Sequence, residues 1–547
     1  MATTHPRAEQ LKKRYEELRH NRGTWDGHWR EVARYVYPEQ DDFWQTFSNS
    51  SHGERKHQWI YEATAPQALT RFASIMESLL TPRNQTWHGL QAEDVSLRED
   101  RDIQLWFDEV NRRLFQQRYA PRANFQSQLN ETFMSLGSFG TGAVYIDYER
   151  GRGMRYKSCF IGDTYIDVNF QGMVDTVFRR FDYSNQQAVQ RWGNNAPERV
   201  KKEVGEKPYE RKEYVHVVTP NLEIDPQRLD FKGMPFSEYY ISLEDTELCA
   251  EAGYRTMPYA VSRYMTSPHE IYGRSPAMAV LPDIKTLNDM AKTDLEAGHK
   301  IIDPPLLIHD DGVLGSGQMQ VDLRPGAQNF GGVSAEGRPL IQPLQTGARV
   351  DINEQKMQVK RDTINSAFLV DLFQILVQTP RMSATEAMLR AQEKGALLSP
   401  VGRQESELLG TIIERELEIL NDNGKMPEIP EQLLDDGGNF EVVYSSPLNR
   451  LQQSEELIGI QRTQEQALAS APFDGGAAVS MLDTERMLIR TRDGNGAPTD
   501  ILKSPERIQA EQQQRAAQEQ ESLSAQDAAQ GAGAIKDLAQ AQQALQQ

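Results

Sequence analysis

The sequence predicts an α+β protein, mainly helical with a small antiparallel β-rich body, and three observations carry that expectation. Apolar residues recur at three- and four-residue spacing, as at Leu11, Tyr15 and Leu18 and again at Trp25, Trp29, Val32 and Tyr35, the period of one helix face. From Ala143 to Leu243 the period falls to two, in short runs parted by turn residues such as Asn169 and Gly172, as antiparallel strands require. Two later helical patterns flank a Gly/Pro-rich stretch, residues 304–349, whose composition suits an irregular or short-stranded excursion.

In chain order, residues 1–135 read as helices. The run from Ala63 keeps a 3.6-residue period until Pro82 stops it. A further helical stretch from about Asp100 to Gly137 ends in Gly137-Ser-Phe-Gly-Thr-Gly142. Strand-like runs follow at 143–148, 158–162, 164–168, 174–181, 213–219 and 237–243. Ser275-Pro276 then offers an N-cap and a proline at the first helical position. Pro282 divides that pattern into a short and a long helix, with Ile284, Leu287, Ala291, Leu295 and Ile302 as its apolar stripe. Asp303-Pro-Pro305 ends it. Asp351 and Glu354 form a capping-box variant that starts another helix, expected to continue through Phe368 and end near Pro380. A second capping box, Ser383 with Glu386, starts the next helix. After Ser399-Pro400 the pattern resumes through Leu420, and Asn423-Gly424 stops it. The Gln- and Ala-rich segment 505–547 has no aromatic residue and cannot supply a core alone.

The 547 residues are 38% hydrophobic, with 19 Phe, 19 Tyr and 7 Trp, enough apolar material for a real core. Cys159 and Cys249 lie far apart and match no metal spacing, which favours a reducing compartment over a disulfide framework. No apolar run reaches the length of about 18 residues that a membrane span needs, and the first residues carry no apolar signal core. The net charge of −19, from 60 basic and 79 acidic residues, repels a polyanion. That speaks against a sequence-specific DNA clamp, and not against a channel in which DNA slides.

Chemical motifs are few. Gly137–Gly142 resembles a phosphate loop but lacks the Lys-Ser/Thr pair and the surrounding βαβ unit, so a helix-to-strand turn is expected. His269-Glu270 has no second histidine at zinc spacing. Asp163 with Asp167, and Asp310 with Asp311, are acid pairs of the sort that 79 acidic residues supply by chance. No nucleophile motif stands out. No catalytic residue, cofactor or metal is expected, and the chain is not expected to be an enzyme.

What stands out is architectural: a long helix, an excursion and a returning helix. Such a hairpin is too thin to bury its own stripes, and identical hairpins side by side in a closed ring would cover them. Lys285 and Lys292 share a face, as do Lys356 and Lys360. Each lysine admits two readings. One is a solvated ion-pair stripe, with Lys285 preceding Asp289 and Lys292 preceding Glu296 by four. The other is a contact with DNA phosphates in a channel.

The order of these pieces resembles the portal proteins of podoviruses, most closely the T7-like head-to-tail connector family. The resemblance rests on Trp25-Asp-Gly-His-Trp-Arg-Glu-Val-Ala-Arg-Tyr-Val-Tyr-Pro38, on Ala63-Thr-Ala-Pro-Gln-Ala-Leu69 with Ser78–Pro82 and Trp87, on Tyr272-Gly-Arg-Ser-Pro276 before Leu287-Asn-Asp-Met290, and on Met382-Ser-Ala-Thr-Glu386. It implies a portal fold assembled as a ring, usually of twelve subunits. Residues 1–270 would form the wing, 271–303 and 351–372 the stem helices, and 304–350 the clip. Residues 373–382 would be the tunnel loop, 383–450 the wing helices leading to the crown, 451–504 the crown and 505–547 a tail.

On that resemblance the ring sits at the portal vertex of a virion after assembly in host cytoplasm, and double-stranded DNA passes through it non-specifically. Its partners would be the terminase large subunit, a tail adaptor or tail-tube protein, capsid and scaffolding proteins, and internal core proteins. DNA-channel candidates are Gln378, Thr379, Arg381, Lys356 and Lys360. Clip candidates for partner binding are Asp310, Asp311, Arg324 and Arg338. A plain helix–helix turn, with Arg381 in solvent or paired with Glu386, is the competing reading of the tunnel segment. The alternative functions are an internal core or other structural virion protein and, less favoured, an uncharacterised hydrolase.

Overall fold

The computed structural model describes the chain apart from residues 1–4, 42, 44–55, 84, 99, 226, 229, 303–305, 309–332, 335, 340, 344–349, 372–398, 436–439, 445–446, 475–476, 496–500, 502–506, 509, 512, 515–517 and 519–547. Helices α1 (Pro6–Asn21), α2 (Gly23–Val36) and α3 (Thr64–Leu80) precede strand β1 (His88–Ala92), the single turn α4 (Val95–Arg98), α5 (Arg101–Arg118) and α6 (Phe125–Phe139). Strands β2 (Thr141–Glu149), β3 (Gly153–Cys159), β4 (Thr164–Val168) and β5 (Val174–Ser184) follow, then α7 (Asn185–Trp192) and α8 (Glu198–Glu203). After β6 (Arg211–Pro220), β7 (Phe236–Ser242), β8 (Leu248–Tyr254) and β9 (Tyr259–Arg263) come α9 (Pro276–Ala279), α10 (Leu281–Ile302), β10 (Leu306–Ile308), β11 (Ile341–Pro343) and α11 (Val350–Ala367). The later elements are α12 (Ser399–Gln404), a π-helical turn (Glu405–Gly410), α13 (Thr411–Asp422), α14 (Glu431–Asp435), β12 (Phe440–Tyr444), α15 (Pro447–Asp474), α16 (Ala477–Ser480) and α17 (Thr484–Asn495).

Two compact units emerge. The first holds Met1–Arg83 and Gln116–Lys425, the second Asn84–Phe115 and Met426–Gln547. In the first unit, β4-β5-β6-β7-β8 form one antiparallel sheet and β3-β2-β9 another. Strand β6 shows why the period of two matters. Val215 and Val217 point to one face, where the α1 residues Leu11, Tyr15 and Leu18 cover them together with Phe178 and Ile241. Tyr214 points to the other, against Phe181, Ala188 and Val200. Burying each such side chain contributes about 1.5–3 kcal/mol, so the first helix of the chain is bound to its central strands.

The joint between the two sheets is polar. Glu238 on β7 accepts from His216 Nε2 at 2.8 Å and from Tyr254 at 2.6 Å, while His216 Nδ1 accepts from the hydroxyl of Tyr259 on β9. Burial lowers the His216 pKa below its usual value. Burial alone would raise Glu238, but the hydrogen bonds from His216 and Tyr254 leave it lowered. A neutral imidazole donating through Nε2–H and accepting at Nδ1 satisfies every partner.

Most sequence-derived elements stand where expected, with informative differences. The helix expected from Asp100 to Gly137 is two helices, because Pro121 lies between α5 and α6 and Asn124 turns the chain in the left-handed region (φ 58°). The strand expected at 158–162 ends at Cys159, and Ile161–Asp163 form a 3-10 turn. The helix from Asp351 does not run unbroken towards Pro380. α11 ends at Ala367, and Leu369 adopts φ 60°. Leu295 and Ile302, placed in the buried stripe of α10, are 53% and 85% exposed, whereas Ile284, Leu287 and Ala291 are buried.

In the second unit, β1 pairs antiparallel with β12, from His88 opposite Tyr444 to Ala92 opposite Phe440. Ala92, Ile103, Phe107 and Leu433 form its small core. Asn111 donates to the His88 carbonyl at 3.0 Å, holding α5 against the strand.

Candidate functional site

Helices α10 and α11 pack antiparallel. Asp283 near the start of α10 pairs with Lys360 late in α11 at 2.5 Å, while Asp294 further along α10 accepts from Asn353 early in α11 at 3.5 Å. β10 and β11 join the two helices at the far end, Leu306 opposite Pro343 and Ile308 opposite Ile341. The expected helix–excursion–helix hairpin is therefore present in its described parts.

The near end is fixed by the glycine segment. Gly140 closes α6 in the left-handed region (φ 77°), and β2 starts at the next residue, so Gly137–Gly142 is a helix-to-strand turn. The segment Tyr272–Ser275 docks on it. Tyr264 N donates to Gly140 O (2.9 Å), Gly273 N to Thr141 Oγ1 (2.9 Å) and Ser275 Oγ to Ser138 O (2.8 Å). Ser275 Oγ also accepts from Met278 N (3.0 Å), the N-cap that Ser-Pro signalled. The long helix thus starts from a seat built by the glycines.

The lysines divide. Lys285 pairs with Glu31 on α2 at 2.5 Å and not with Asp289, and that hydrogen bond raises its pKa. Lys292 makes no ion pair with Glu296 among the described residues and lies 5.7 Å from the centre of the Tyr61 ring. The i,i+4 pairs of the solvated-stripe reading are absent among the described residues, and both lysines turn to residues outside the helix, Glu31 and Tyr61. Lys360 is committed to Asp283, and Lys356 is exposed with no partner among the described residues. Replacing Lys360 by Met is expected to cost at most about 1 kcal/mol, because both members of the pair are about one-third exposed. A collapse of the denaturation midpoint would show that the pair holds α10 to α11.

Gln378, Thr379, Arg381, Asp310, Asp311 and Arg324 lie outside the described residues. Arg338 is exposed in a turn closed by Gly337 N to Ser334 O (2.9 Å), with Glu336 at 4.0 Å. Asp163 and Asp167 do not form an acid pair. Asp163 meets Arg180 at 2.9 Å and Asp167 meets Arg14. Among the described residues no group of three or more His, Cys, Asp or Glu could hold a metal ion, and no helix is long and apolar enough to cross a membrane.

The sequence reading missed the anchors of the chain after residue 398. Arg118 and Glu416, both fully buried, pair through Nη2–Oε2 at 2.5 Å and Nε–Oε1 at 3.0 Å, and Tyr156 donates to the same carboxylate. In the π-helical turn, Glu407 takes Arg263 Nη2 at 2.8 Å and Arg263 N at 3.0 Å, while Gln404 reaches Ser262 and the Arg263 carbonyl. Gln404, the last residue of α12, and Glu407, inside the π turn, both reach strand β9. The spacing of charges inside an apolar helical run was the available signal, since Glu416 sits between Ile413 and Leu417.

The family model described as bacteriophage head to tail connecting protein matches residues 8–502. A portal protein of Salmonella phage epsilon15 is 27% identical, over 97% of this chain and 95% of its own length. A probable portal protein of Bordetella phage BPP-1 is 24% identical, over 81% of this chain and 80% of its own. The match spans both units and includes the glycine seat, the antiparallel hairpin and the anchored helix behind it, and this chain belongs to the bacteriophage head-to-tail connecting protein family.

Proposed function

We propose that the chain is a portal subunit that assembles as a ring of about twelve copies at one capsid vertex, the channel for genome packaging and ejection. The observation that carries this is the α10–α11 hairpin, whose outer residues Leu295, Ile301, Ile302 and Val359 remain 53–85% exposed in the subunit. Four large apolar side chains on one thin hairpin want a cover, and a head-to-tail contact repeated around a closed ring supplies it. On this reading α10 and α11 are the stem, the segment between them is the clip, 373–382 is the tunnel loop, and residues from 451 onward build the crown and tail.

Duplex DNA slides through such a ring without sequence contacts. At −19 per subunit the wall repels phosphates overall, and a few cations suffice for transient contact, since every neutralised phosphate adds salt-dependent grip. Lys356 and Arg381, with Gln378 and Thr379, are the proposed contacts. Lys360 contributes less because Asp283 shares its charge. The clip, with Asp310, Asp311, Arg324 and Arg338, receives the terminase during packaging and a tail adaptor afterwards. Terminase supplies the ATPase, and the portal subunit is no enzyme. Capsid, scaffolding and internal core proteins complete the partners of a short-tailed virion.

The mass of the purified protein tests the ring. Light scattering at micromolar concentration is expected to give an assembly of about twelve subunits. A stable monomer or dimer under those conditions overturns the proposal.

A further inference from the structure

Residues 56–63 cross the α10–α11 hairpin as a strap. A turn closes it, with Ile60 N donating to His57 O at 3.0 Å. Asn288, buried on α10, clamps its backbone by donating from Nδ2 to Trp59 O at 3.0 Å and accepting at Oδ1 from Tyr61 N at 2.8 Å. On the α11 side, Glu62 accepts from Arg361 at 2.9 Å and from Thr64 at 2.6 Å. Burial alone would raise the Glu62 pKa, but these bonds leave it lowered, so an ionised carboxylate ties the strap to α11 and the Asn288 amide ties it to α10.

The strap buries its backbone contacts and displays its rings. Trp59 is 48% and Tyr61 43% exposed. Arg34 of α2 lies 4.4 Å from the Trp59 ring centre, and Lys292 of α10 lies 5.7 Å from that of Tyr61. Neither cation has a carboxylate partner among the described residues.

We propose that Trp59 and Tyr61, with Arg34 and Lys292, form a preordered contact surface for a carboxylate-bearing apolar face of a second copy of this chain. The proposal rests on the ring reading above and names a contact within it. Tryptophan, tyrosine and arginine are the residues that concentrate binding energy in protein interfaces. The Asn288 clamp and the cation–ring contacts fix the backbone and both rings beforehand, so little ordering entropy is lost on association. The surface also continues along α10. Lys292 and Leu295 lie three apart on one face, and Ile302 follows seven beyond Leu295. The strap covers this stripe at Asn288 and leaves it bare from Leu295 onward.

Charge selects the occupant. A neighbouring copy carries 79 acidic against 60 basic residues, so carboxylates are what its surface most often offers two unpaired cations. Duplex DNA is the other polyanion at hand, and it fits less well. Its bases are stacked away from the backbone, and aromatic platforms bind nucleic acid through free ring faces. Here the cations already lie over the rings.

The test is Arg34→Glu with Lys292→Glu, and separately Trp59→Ala with Tyr61→Ala, in the full chain. Far-UV circular dichroism and thermal denaturation report whether each variant folds. Arg34→Gln with Lys292→Gln serves as the milder pair if the reversal does not fold. Assembly is followed by light scattering against protein concentration and salt. Both folded variants are expected to need about tenfold more protein to assemble; salt should weaken assembly of the wild type and of the aromatic variant at this contact, and this loss should vanish or reverse in the charge-reversed pair. A wild-type ring whose variants assemble at the same concentration removes this contact and leaves the ring reading intact. A wild-type chain that stays monomeric removes both. Rings that assemble normally but lose duplex binding in the charge-reversed pair give the surface to DNA instead and overturn the proposal.

Discussion

Glu416→Ala is expected to destabilise the protein by about 3–5 kcal/mol, read as a large fall in denaturation midpoint. The Arg118 guanidinium would remain at zero exposure with its two carboxylate bonds gone, and Tyr156, also buried, would lose its carboxylate acceptor and keep the weaker Met154 sulfur at 3.6 Å. Both side chains of the pair have zero solvent exposure, so their lost bonds are not made good at a solvent-facing surface. The double replacement Arg118→Met with Glu416→Leu removes both charges at once and is expected to recover most of the loss, because the desolvation of two ions is then no longer required. A double variant as unstable as Glu416→Ala would show that the pair adds net attraction well beyond what burying it costs. A single variant within about 1 kcal/mol of wild type would show that the site is wetter than its geometry implies.

Gly140→Ala should be nearly as damaging through a different cause. An added Cβ would stand 2.3 Å from the Gly273 carbonyl oxygen and 2.6 Å from the Arg274 carbonyl carbon, at φ +77°. The left-handed conformation alone costs an alanine about 1–2 kcal/mol. The clash is with backbone, so no rotamer relieves it. The seat of α9 and α10 must open, breaking the bonds of Gly273 to Thr141 and of Ser275 to Ser138. A total of at least about 3 kcal/mol is expected. Gly151→Ala is the control, since φ is +82° there and no atom lies within 4 Å of the added carbon. Equal midpoints for the two variants would show that strain, and not the close approach, governs Gly140.

Much of this architecture was legible because each helix and strand carries its own period. α1 announced its buried face through Leu11, Tyr15 and Leu18, and β6 its two faces through Tyr214–Val218. The Ser275-Pro276 signal placed the start of the hairpin to the residue. Legibility failed where tertiary partners decide. Lys285 finds Glu31 across the fold because a residue far away in sequence comes closer than its own helical neighbour. Leu295 and Ile302 follow the helical period faithfully, yet they stay 53% and 85% exposed among the described residues, and periodicity cannot say what covers them. The strap was hidden for the opposite reason. Trp59-Ile-Tyr61 sits in a charged stretch with no period, and its role comes from one asparagine more than two hundred residues later.

The second unit has a consequence for the order of synthesis. Its only described sheet pairs β1 with β12, and Gln91 meets Glu441 across 350 residues of chain. A ribosome adding about 5–20 residues per second needs on the order of 20–70 s to supply that partner. For that interval β1 leaves the exit tunnel with an unpaired edge, while β4 to β8 of the first unit, each paired with the next in sequence, can zip together as they emerge. The five-stranded sheet can therefore form long before the β1–β12 pair, which closes only after Tyr444 has emerged.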